Sequence, residues 1–291
     1  LLQDCVRPYQ NYVYSDQRIE SIAFVNYRSA KYIKKTNVSK YYLSGKNIYT
    51  DKLSEFAILC NRNSKGLVVD RISDIFDEIY IDEVQDLAGY DLDLIELFLK
   101  SPVSMLLVGD NRQATYSTNS SAKNNQYRGY KIDKLFTAWE KKGLCKKIYL
   151  SQSYRCNQLI CDFADGLYPE MPKTKSRNKT STGHDGIFII DEDSVDEYIS
   201  EYSPIILRYD RRTKCFGYAA INFGNSKGLT FDRVLIFPNG PIKRYLRSGD
   251  IKHVKKSRAK FYVAVTRARY SVSFVYSGRC NNERVKSLTT T

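Results

Sequence analysis

The fold is decided by the stretch IYIDEVQD at residues 79–86, in which an apolar run is followed directly by two acidic residues. Short apolar runs indicate buried strands, and a strand that ends in carboxylates is typical of the ligand-binding edge of a parallel sheet. At that edge, Asp82 is suited to hold Mg²⁺ and Glu83 to accept a proton from an attacking water. Taken alone, the stretch is explained equally well by a strand-to-helix turn with solvated acids.

The segments on either side of this stretch alternate between strand and helix patterns. Strands are predicted at residues 104–108, 147–150, 186–190, 204–207, 219–222, 233–237 and 271–276. Helices are predicted at residues 16–25, 51–60, 91–100, 132–142, 155–167, 194–202 and 252–269. Such alternation predicts an α/β protein with parallel sheets. A boundary near Gly143 predicts two domains, residues 1–143, with a small helical insertion near the start, and residues 144–291.

Length and composition restrict the class of protein. The 291 residues suffice for two domains, and 42% hydrophobic with 27% charged residues is a globular balance. A net charge of +14 favours polyanions, and 24 tyrosines supply faces that can stack on unpaired bases. Ribosome-associated and membrane-surface proteins can be as basic, and a bias toward Tyr and Lys would explain the tyrosines. Seven cysteines without metal-binding spacing predict reduced thiols in a cytoplasmic compartment, and no apolar run predicts a membrane span.

The second apolar strand of the first half leads into GDNRQATY at residues 109–116. A glutamine such as Gln113, at the tip of a neighbouring strand, can hydrogen-bond a γ-phosphate or the attacking water, which supplies much of the catalysis in ATPases and GTPases. Tyr116, three residues later, can stack on a base. Because this segment follows the acidic one in order, a plain turn with a core tyrosine is the less favoured interpretation.

Three segments of the second half contribute cations. Residues 150–156 read LSQSYRC, so Arg155 comes at a helix start. Because the helix dipole does not favour a cation there, this arginine invites an anionic partner. Residues 222–232 read NFGNSKGLTFD and precede an apolar strand. Residues 261–269 read FYVAVTRAR, late in a basic helix, and Arg267 suits the arginine-finger arrangement. For either arginine alone, a surface cation or a salt bridge is the simpler interpretation.

Together and in this order, the five segments resemble motifs II, III, IV, V and VI of UvrD/Rep/PcrA-type superfamily 1 DNA helicases. The resemblance runs over residues 79–275, about two thirds of the chain, and chance explains the ordered set poorly. It implies two RecA-like parallel-sheet domains of the P-loop NTPase type. It also implies ATP and Mg²⁺ as cofactors and single-stranded DNA as a partner.

The resemblance implies roles for the motif residues of the first domain. Asp82 would ligate Mg²⁺, and Glu83 would be the catalytic base. Gln113 would sense the γ-phosphate and couple it to DNA, and Tyr116 would stack on a base.

It also implies roles in the second domain. Arg155 and Arg267 would reach the triphosphate as fingers, and Tyr154 would lie beside the adenine. Lys227 and Gly228 would belong to the loop that links nucleotide to DNA. Thr230 stands where the family usually has a glutamate that contacts the nucleotide sugar, so the resemblance leaves ribose recognition undecided.

A phosphate-binding Gly-x-x-x-x-Gly-Lys-[Ser/Thr] loop does not occur in the sequence, since Gly45-Lys46 has no glycine five positions upstream and is followed by Asn47. Such a loop holds the β and γ phosphates, so this polypeptide alone is expected to bind ATP poorly. The family has the loop ahead of this region, and the chain begins with Leu1. The first RecA-like domain is therefore expected to be incomplete at its N-terminus; genuine loss of ATPase activity is the alternative.

The expected activity is ATP-dependent unwinding or translocation on single-stranded DNA, 3′ to 5′ by resemblance, with ATP hydrolysed between the two domains. Two alternatives are a hydrolysis-dead nucleic-acid-binding module and a regulatory subunit that contacts a partner nuclease or helicase. The sequence leaves DNA repair, plasmid replication, recombination and phage defence open as pathways.

Overall fold

Parallel strands form the centre of both halves of the chain, whose structure is a computed structural model that describes residues 1–119 and 121–288. The chain divides into two units, Leu1–Lys147 (unit 1) and Ile148–Thr291 (unit 2). The sequence predicts a boundary at residue 143, a few residues earlier. The strand pair that leads into the acidic residues and the central strand pairs of unit 2 are parallel, so the predicted α/β class with parallel sheets is confirmed.

Among the residues that the structure describes, unit 1 has five strands and five α-helices. The strands are β1 (Ser21–Ala23), β2 (Leu43–Ser44), β3 (Asn47–Tyr49), β4 (Glu78–Ile81) and β5 (Ser104–Leu107). The helices are α1 (Val38–Tyr42), α2 (Leu53–Asn63), α3 (Leu67–Ile75), α4 (Tyr90–Leu99) and α5 (Ile132–Lys141). Helix α4 carries Asp91 and Asp93 in its first turn, where carboxylates interact favourably with the helix dipole.

The strand pair β4–β5 positions the acidic segment. The two strands are parallel and in register from Glu78–Ser104 to Ile81–Leu107, so both end at the same edge. One face packs on the helices of unit 1 through Ile81 and Leu107, while the other face leaves Tyr80 and Leu106 exposed. The strands alternate exposed and half-buried residues, whereas their apolar composition predicts fully buried strands.

The helix predicted over residues 16–25 is wrong, because that segment contains strand β1. Ser21–Ala23 pairs in parallel with Asn47–Tyr49 of β3. The segment is also held from a distance, since the backbone N–H of Ile19 donates to the side chain of Gln10 at 3.0 Å. Long-range pairing here overrides the helix-like spacing of the apolar residues. The helix predicted over residues 51–60 is present as α2.

In its described part, residues 148–288, unit 2 has eight strands and four α-helices. The strands are β6 (Gln152–Ser153), β7 (Lys175–Ser176), β8 (Gly186–Ile190), β9 (Ile205–Arg208), β10 (Ile221–Asn222), β11 (Phe231–Phe237), β12 (Ala268–Val275) and β13 (Lys286–Ser287). The helices are α6 (Gln158–Gly166), α7 (Val195–Tyr202), α8 (Gly240–Ser248) and α9 (Arg258–Val265).

The main sheet of unit 2 has the order β10-β9-β11-β12-β8-β13, and its pairings are all parallel. Helices α6, α8 and α9 contribute to the larger hydrophobic cluster, which includes Val234, Ile236, Val272 and Phe274 of the central strands. Helix α7 packs in a second cluster with Leu235, Phe237 and Val275, the alternate residues of the same strands. The central strands are therefore covered on both faces, as crossover connections require.

Two further segments of unit 2 differ from prediction. The strand predicted over residues 147–150 is absent, and Ile148 and Leu150 are exposed; parallel pairing begins only at Gln152 in β6. The helix predicted over residues 252–269 is shorter, since α9 ends at Val265 and β12 begins at Ala268, which puts Arg267 in the connecting turn. In the described part of the chain, no helix has the length and apolar character to span a bilayer.

Candidate functional site

The acidic pair of unit 1 sits immediately beyond strand β4. Glu83 has a φ of +52°, in the left-handed region that non-glycine residues rarely adopt. The turn is held because the Glu83 N–H donates to Oδ1 of Asp82 at 2.7 Å. Strained backbone of this kind clusters at functional sites. Asp82 is exposed and Glu83 half-buried, so both carboxylates occupy the sheet edge that the sequence predicts.

A buried glutamine connects this pair to the neighbouring strand end. The side chain of Gln85 is 1% exposed; its amide donates to Oε2 of Glu83 and its Oε1 accepts from the Asp110 N–H at 3.1 Å. Gly109 permits the contact, because a Cβ there would lie 2.3 Å from Oε1 of Gln85. The sequence contains Gln85 within the acidic motif, but nothing in the spacing assigns it this bridging position.

Gln113 lies in a short 3₁₀ turn, Asn111–Gln113, that follows the end of strand β5. Its Nε2 donates to Oδ2 of Asp110 at 3.0 Å, and Arg112 donates to Oδ1 of the same carboxylate through Nε at 2.9 Å. Asp110 therefore organises this turn, and Gln85 ties the turn to Glu83. Within unit 1, the structure brings Asp82, Glu83 and Gln113 into one hydrogen-bonded edge.

Tyr116 is 69% exposed and available for stacking, but it is not the most exposed aromatic residue of unit 1. Phe24, Tyr27 and Tyr32 are 84%, 70% and 87% exposed, and the ammonium of Lys31 lies 5.3 Å from the ring of Tyr32. Sequence reasoning missed this cluster. The signal for it is the alternation of aromatic and basic residues in FVNYRSAKYIKK at residues 24–35.

In unit 2, Tyr154 and Arg155 follow strand β6. The ring of Tyr154 is 79% exposed, which leaves it available to a base. The guanidinium of Arg155 donates through Nη1 to the carbonyl of Thr266 at 3.3 Å. The thiol of Cys156 contacts the same carbonyl at 3.5 Å, and burial raises the pKa of that thiol, which fits a packing role rather than a reactive one.

Arg267 is the largest polar side chain in the core of unit 2, at 2% exposed. Its Nε donates to the carbonyl of Val263 at 3.1 Å and its Nη1 to that of Leu229 at 3.2 Å. Its Nη2 donates to Oγ1 of Thr266 at 3.3 Å. In this structure the predicted finger is therefore hydrogen-bonded inside its own unit and carries a charge that needs these acceptors.

Two backbone groups in the loop with Lys227, Gly228 and Thr230 are hydrogen-bonded to Arg267. The carbonyl of Leu229 accepts from the Arg267 side chain, and the Phe231 N–H donates to the Arg267 carbonyl at 2.9 Å. Gly228 has a φ of +81° with open space around it, so the loop can present backbone to a ligand. Unit 2 thus brings Arg155, Arg267 and this loop together around Thr266.

Asp82 is the residue that would hold a magnesium ion. Within residues 1–119 and 121–288, no group of three or more His, Cys, Asp or Glu could hold a metal ion. Nucleotide-bound Mg²⁺ needs only one or two protein carboxylates, because phosphate oxygens and water supply its other ligands. Asp82, exposed and held by one oxygen to the Glu83 N–H, fits that kind of site.

The parallel strands, with acids at the edge where they end, define the class of an α/β protein with parallel sheets. Residues 9–131 match the family model of the UvrD/REP helicase N-terminal domain. These residues are therefore similar to that domain, and the match confirms, for this part of the chain, the resemblance to UvrD/Rep-type superfamily 1 helicases and the expected RecA-like α/β fold. No curated protein sequence matches the chain.

Viral helicases are among the solved structures that are similar to the chain. The PRRSV helicase is 21% identical, with 68% of this chain and 34% of that chain covered and a TM-score of 0.41. The arterivirus nonstructural protein 10 helicase is 16% identical, with 68% and 38% covered and a TM-score of 0.41. Its complex with DNA gives 16% identity, 68% and 39% covered, and a TM-score of 0.40. The chain spans under two fifths of the length of these helicases.

Proposed function

We propose that this chain forms part of an ATP-dependent helicase or translocase that moves along single-stranded DNA, in the 3′ to 5′ direction. The observation that carries the proposal is the hydrogen-bonded edge of unit 1, where Gln85 joins Glu83 to the Asp110 turn that holds Gln113. A base and a phosphate-sensing amide connected through one buried side chain suit coordinated hydrolysis of a γ-phosphate.

Each of the predicted site residues would have its own role in ATP hydrolysis. Asp82 would hold Mg²⁺, which neutralises charge on the phosphates, and Glu83 would take the proton of the attacking water. Gln113 would orient that water or the γ-phosphate. Arg155 and Arg267 would act on the triphosphate from unit 2, with Arg267 exchanging some of its internal acceptors for phosphate oxygens. Tyr154 would cover the adenine.

Binding to single-stranded DNA is supported by the surface of unit 1 and by the charge of the chain. Exposed rings at Phe24, Tyr27, Tyr32 and Tyr116 offer stacking faces for unpaired bases. The net charge of +14 favours a polyanion. The loop with Lys227, Gly228 and Thr230 would connect nucleotide and DNA. A cytoplasmic location belongs to the same proposal, in line with seven free cysteines.

A second function is favoured by two observations. The sequence contains no phosphate-binding glycine-lysine loop, and Arg267 is satisfied within its own unit. Both features suit a hydrolysis-dead module that binds nucleic acid or a partner such as a nuclease. Such a module would bind single-stranded DNA without turning over ATP, whereas a partner-only module would show no steep salt dependence of DNA binding.

The test is the substitution Glu83→Gln in the full-length protein. We expect DNA-stimulated ATP hydrolysis to be abolished, with nucleotide binding retained, because the amide keeps the shape of the side chain but cannot take a proton. Glu197→Gln, on the exposed surface of α7, is the matched control and should hydrolyse ATP like the wild type. Normal turnover by Glu83→Gln would refute the role of the acidic edge.

A further inference from the structure

Four cations project from one extended segment of unit 2 at every second position. This cation row consists of Lys173, Lys175, Arg177 and Lys179, whose side chains are all exposed. The residues between them, which are half-buried, are Thr174, Ser176 and Asn178. The regular strand covers only Lys175 and Ser176, and Asn178 and Thr180 donate their backbone N–H groups to the side chains two residues before them. The exposed cations nevertheless alternate with half-buried residues, so the four charges follow one another along the exposed side of the segment.

The row is held in place from its buried side. Oγ1 of Thr174 donates to Oδ1 of Asp165 at 3.0 Å, and Asp165 is itself buried in helix α6. Oγ of Ser176 donates to the Cys156 carbonyl at 2.8 Å, and Nδ2 of Asn178 donates to the Arg155 carbonyl at 2.8 Å. Because the backbone is fixed by these bonds, binding a ligand along the row orders less of the chain.

Strand pairing adds to this rigidity. Lys175 and Ser176 form β7, which pairs in parallel with Gln152 and Ser153 of β6. The backbone N–H of Lys175 donates to the Ser151 carbonyl at 2.7 Å, and Nε of Arg177 donates to Oε1 of Gln152 at 2.9 Å. The segment that carries the row is therefore held in the folded unit by strand pairing and by side-chain hydrogen bonds.

The cations of the row keep their charge uncompensated. Among the residues that the structure describes, none of the four forms an ion pair with a carboxylate. By contrast, Arg258 on helix α9 pairs with Glu170 at 2.9 Å. Two carboxylates of α6 lie near the row: Asp165 accepts from Thr174, and Asp162 accepts from Nε2 of Gln158. A fixed line of unpaired cations attracts a chain of anionic groups and releases counterions when it binds one.

We infer that the cation row binds the phosphate backbone of a single-stranded nucleic acid. The line of charges fits one phosphodiester chain better than a flat anionic surface, which would contact a broad patch. That the strand is unpaired rests on the proposed function. This contact requires neither base stacking on the exposed rings of unit 1 nor bound ATP. Binding of a nucleic acid to the row can therefore be measured without nucleotide.

The experiment measures binding of a labelled single-stranded oligonucleotide by fluorescence anisotropy, over a salt titration and without nucleotide. The row variant replaces Lys173, Lys175, Arg177 and Lys179 by Gln. We expect its affinity near physiological salt to fall by about tenfold or more, and the slope of log K against log salt to become shallower by about 3, since each phosphate contact on a single strand contributes roughly 0.7.

The matched control removes the same charge from other exposed positions of unit 2. It carries the substitutions Arg247→Gln, Lys252→Gln, Lys255→Gln and Lys256→Gln. We expect its slope to change by less than about 1. Equal losses in the row variant and this control would overturn the row as a site, because they would show that only total charge matters.

A second pair of variants separates the row's geometry from its charge and from any folding defect. Asp165→Asn raises the net charge by one but weakens the anchor of Thr174, and Thr174→Val removes one anchoring bond without changing charge. We expect both to bind the oligonucleotide a few-fold more weakly, with circular dichroism unchanged. Tighter binding by Asp165→Asn, or unchanged binding by both, would contradict a positioned row.

Further arms identify the ligand and separate this inference from the proposed function. Duplex of the same sequence, anionic vesicles and ATP serve as competitors, and we expect the unlabelled single strand to displace the probe best. Better competition by duplex, vesicles or ATP would overturn the single strand as ligand. If the wild type binds neither single-stranded nor duplex DNA, both this inference and the DNA binding in the proposed function are refuted. If the wild type binds and the row variant binds equally well, only the inference about the row is refuted.

Discussion

The guanidinium of Arg155 donates a hydrogen bond to the carbonyl of Thr266 at 3.3 Å, although the two residues are 111 positions apart in the chain. Arg267, next to Thr266, is buried and donates to Val263 and Leu229 as well as to Oγ1 of Thr266. The sequence predicts the same role for the two arginines, but their environments in the structure differ. One is half-buried with a long hydrogen bond, and the other is enclosed.

This difference predicts unequal losses of stability. Arg267→Met should lower the free energy of unfolding by about 2–4 kcal/mol, because buried carbonyl and hydroxyl acceptors lose their donor. Arg155→Met should cost less than about 1 kcal/mol, since its one long bond is replaced in part by water. Urea denaturation followed by circular dichroism measures both values. An Arg155→Met variant as unstable as Arg267→Met would contradict the enclosed position of Arg267.

Features that depend on neighbouring residues can be predicted from the sequence, whereas features that depend on distant residues cannot. The junction of β4 with Asp82 and Glu83 is predictable, because an apolar run and two acids are read within a few residues. The burial of Arg267 is not, because one of its acceptors, Leu229, lies 38 positions away. The left-handed backbone of Glu83 is likewise invisible in composition, since glutamate has no preference for that region. The local sequence pattern therefore predicts the strands and helices. Which functional side chains are buried depends on hydrogen-bond acceptors that are distant in the sequence.

Gly109 is predicted to be required by the buried side chain of Gln85. A Cβ at Gly109 would lie 2.3 Å from Oε1 of Gln85 and 3.0 Å from Cγ1 of Val84. Gly109→Ala should therefore destabilise unit 1 by about 1–3 kcal/mol, as overpacking does. In the double variant with Gln85→Ala the main clash is removed, so the two losses should fall short of additivity by about 1 kcal/mol or more. Additive losses, measured by urea denaturation of the four proteins, would show that Gln85 does not occupy this contact.

Gln85 is also predicted to position Glu83 for proton transfer. Gln85→Met keeps the volume but removes both the donor to Glu83 and the acceptor for Asp110. In the full-length protein we expect kcat for ATP hydrolysis to fall by about 10–100-fold with little change in the KM for ATP, because a small misplacement of a catalytic group costs rate rather than binding. Gln126→Met, on an exposed turn of the same unit, is the control and should leave kcat unchanged. A rise in KM at constant kcat would instead assign Gln85 to nucleotide binding.

The stability of unit 2 is predicted to decline in mild acid because of His184. The His184 ring is stacked between Phe188 and Tyr202 and hydrogen-bonded to the Tyr198 hydroxyl at 2.9 Å. Burial, and then the nearby Arg233 guanidinium, lower the pKa of His184 from its ordinary value. The unfolded chain therefore takes up a proton at a higher pH than the folded one, so stability falls as pH drops through about 6.5 and levels off below the folded pKa.

The measurement is the free energy of unfolding from about pH 8 to about pH 5 for the wild type, His184→Phe and His253→Gln. His184→Phe keeps an aromatic ring between Phe188 and Tyr202 but cannot be protonated, so the part of the pH dependence centred near 6.5 should disappear. His253 is the other histidine of the chain and is exposed, so its replacement should leave that dependence in place. If His184→Phe and the wild type lose stability in parallel as the pH falls, the acid sensitivity arises from carboxylates and the buried ring contributes nothing to it.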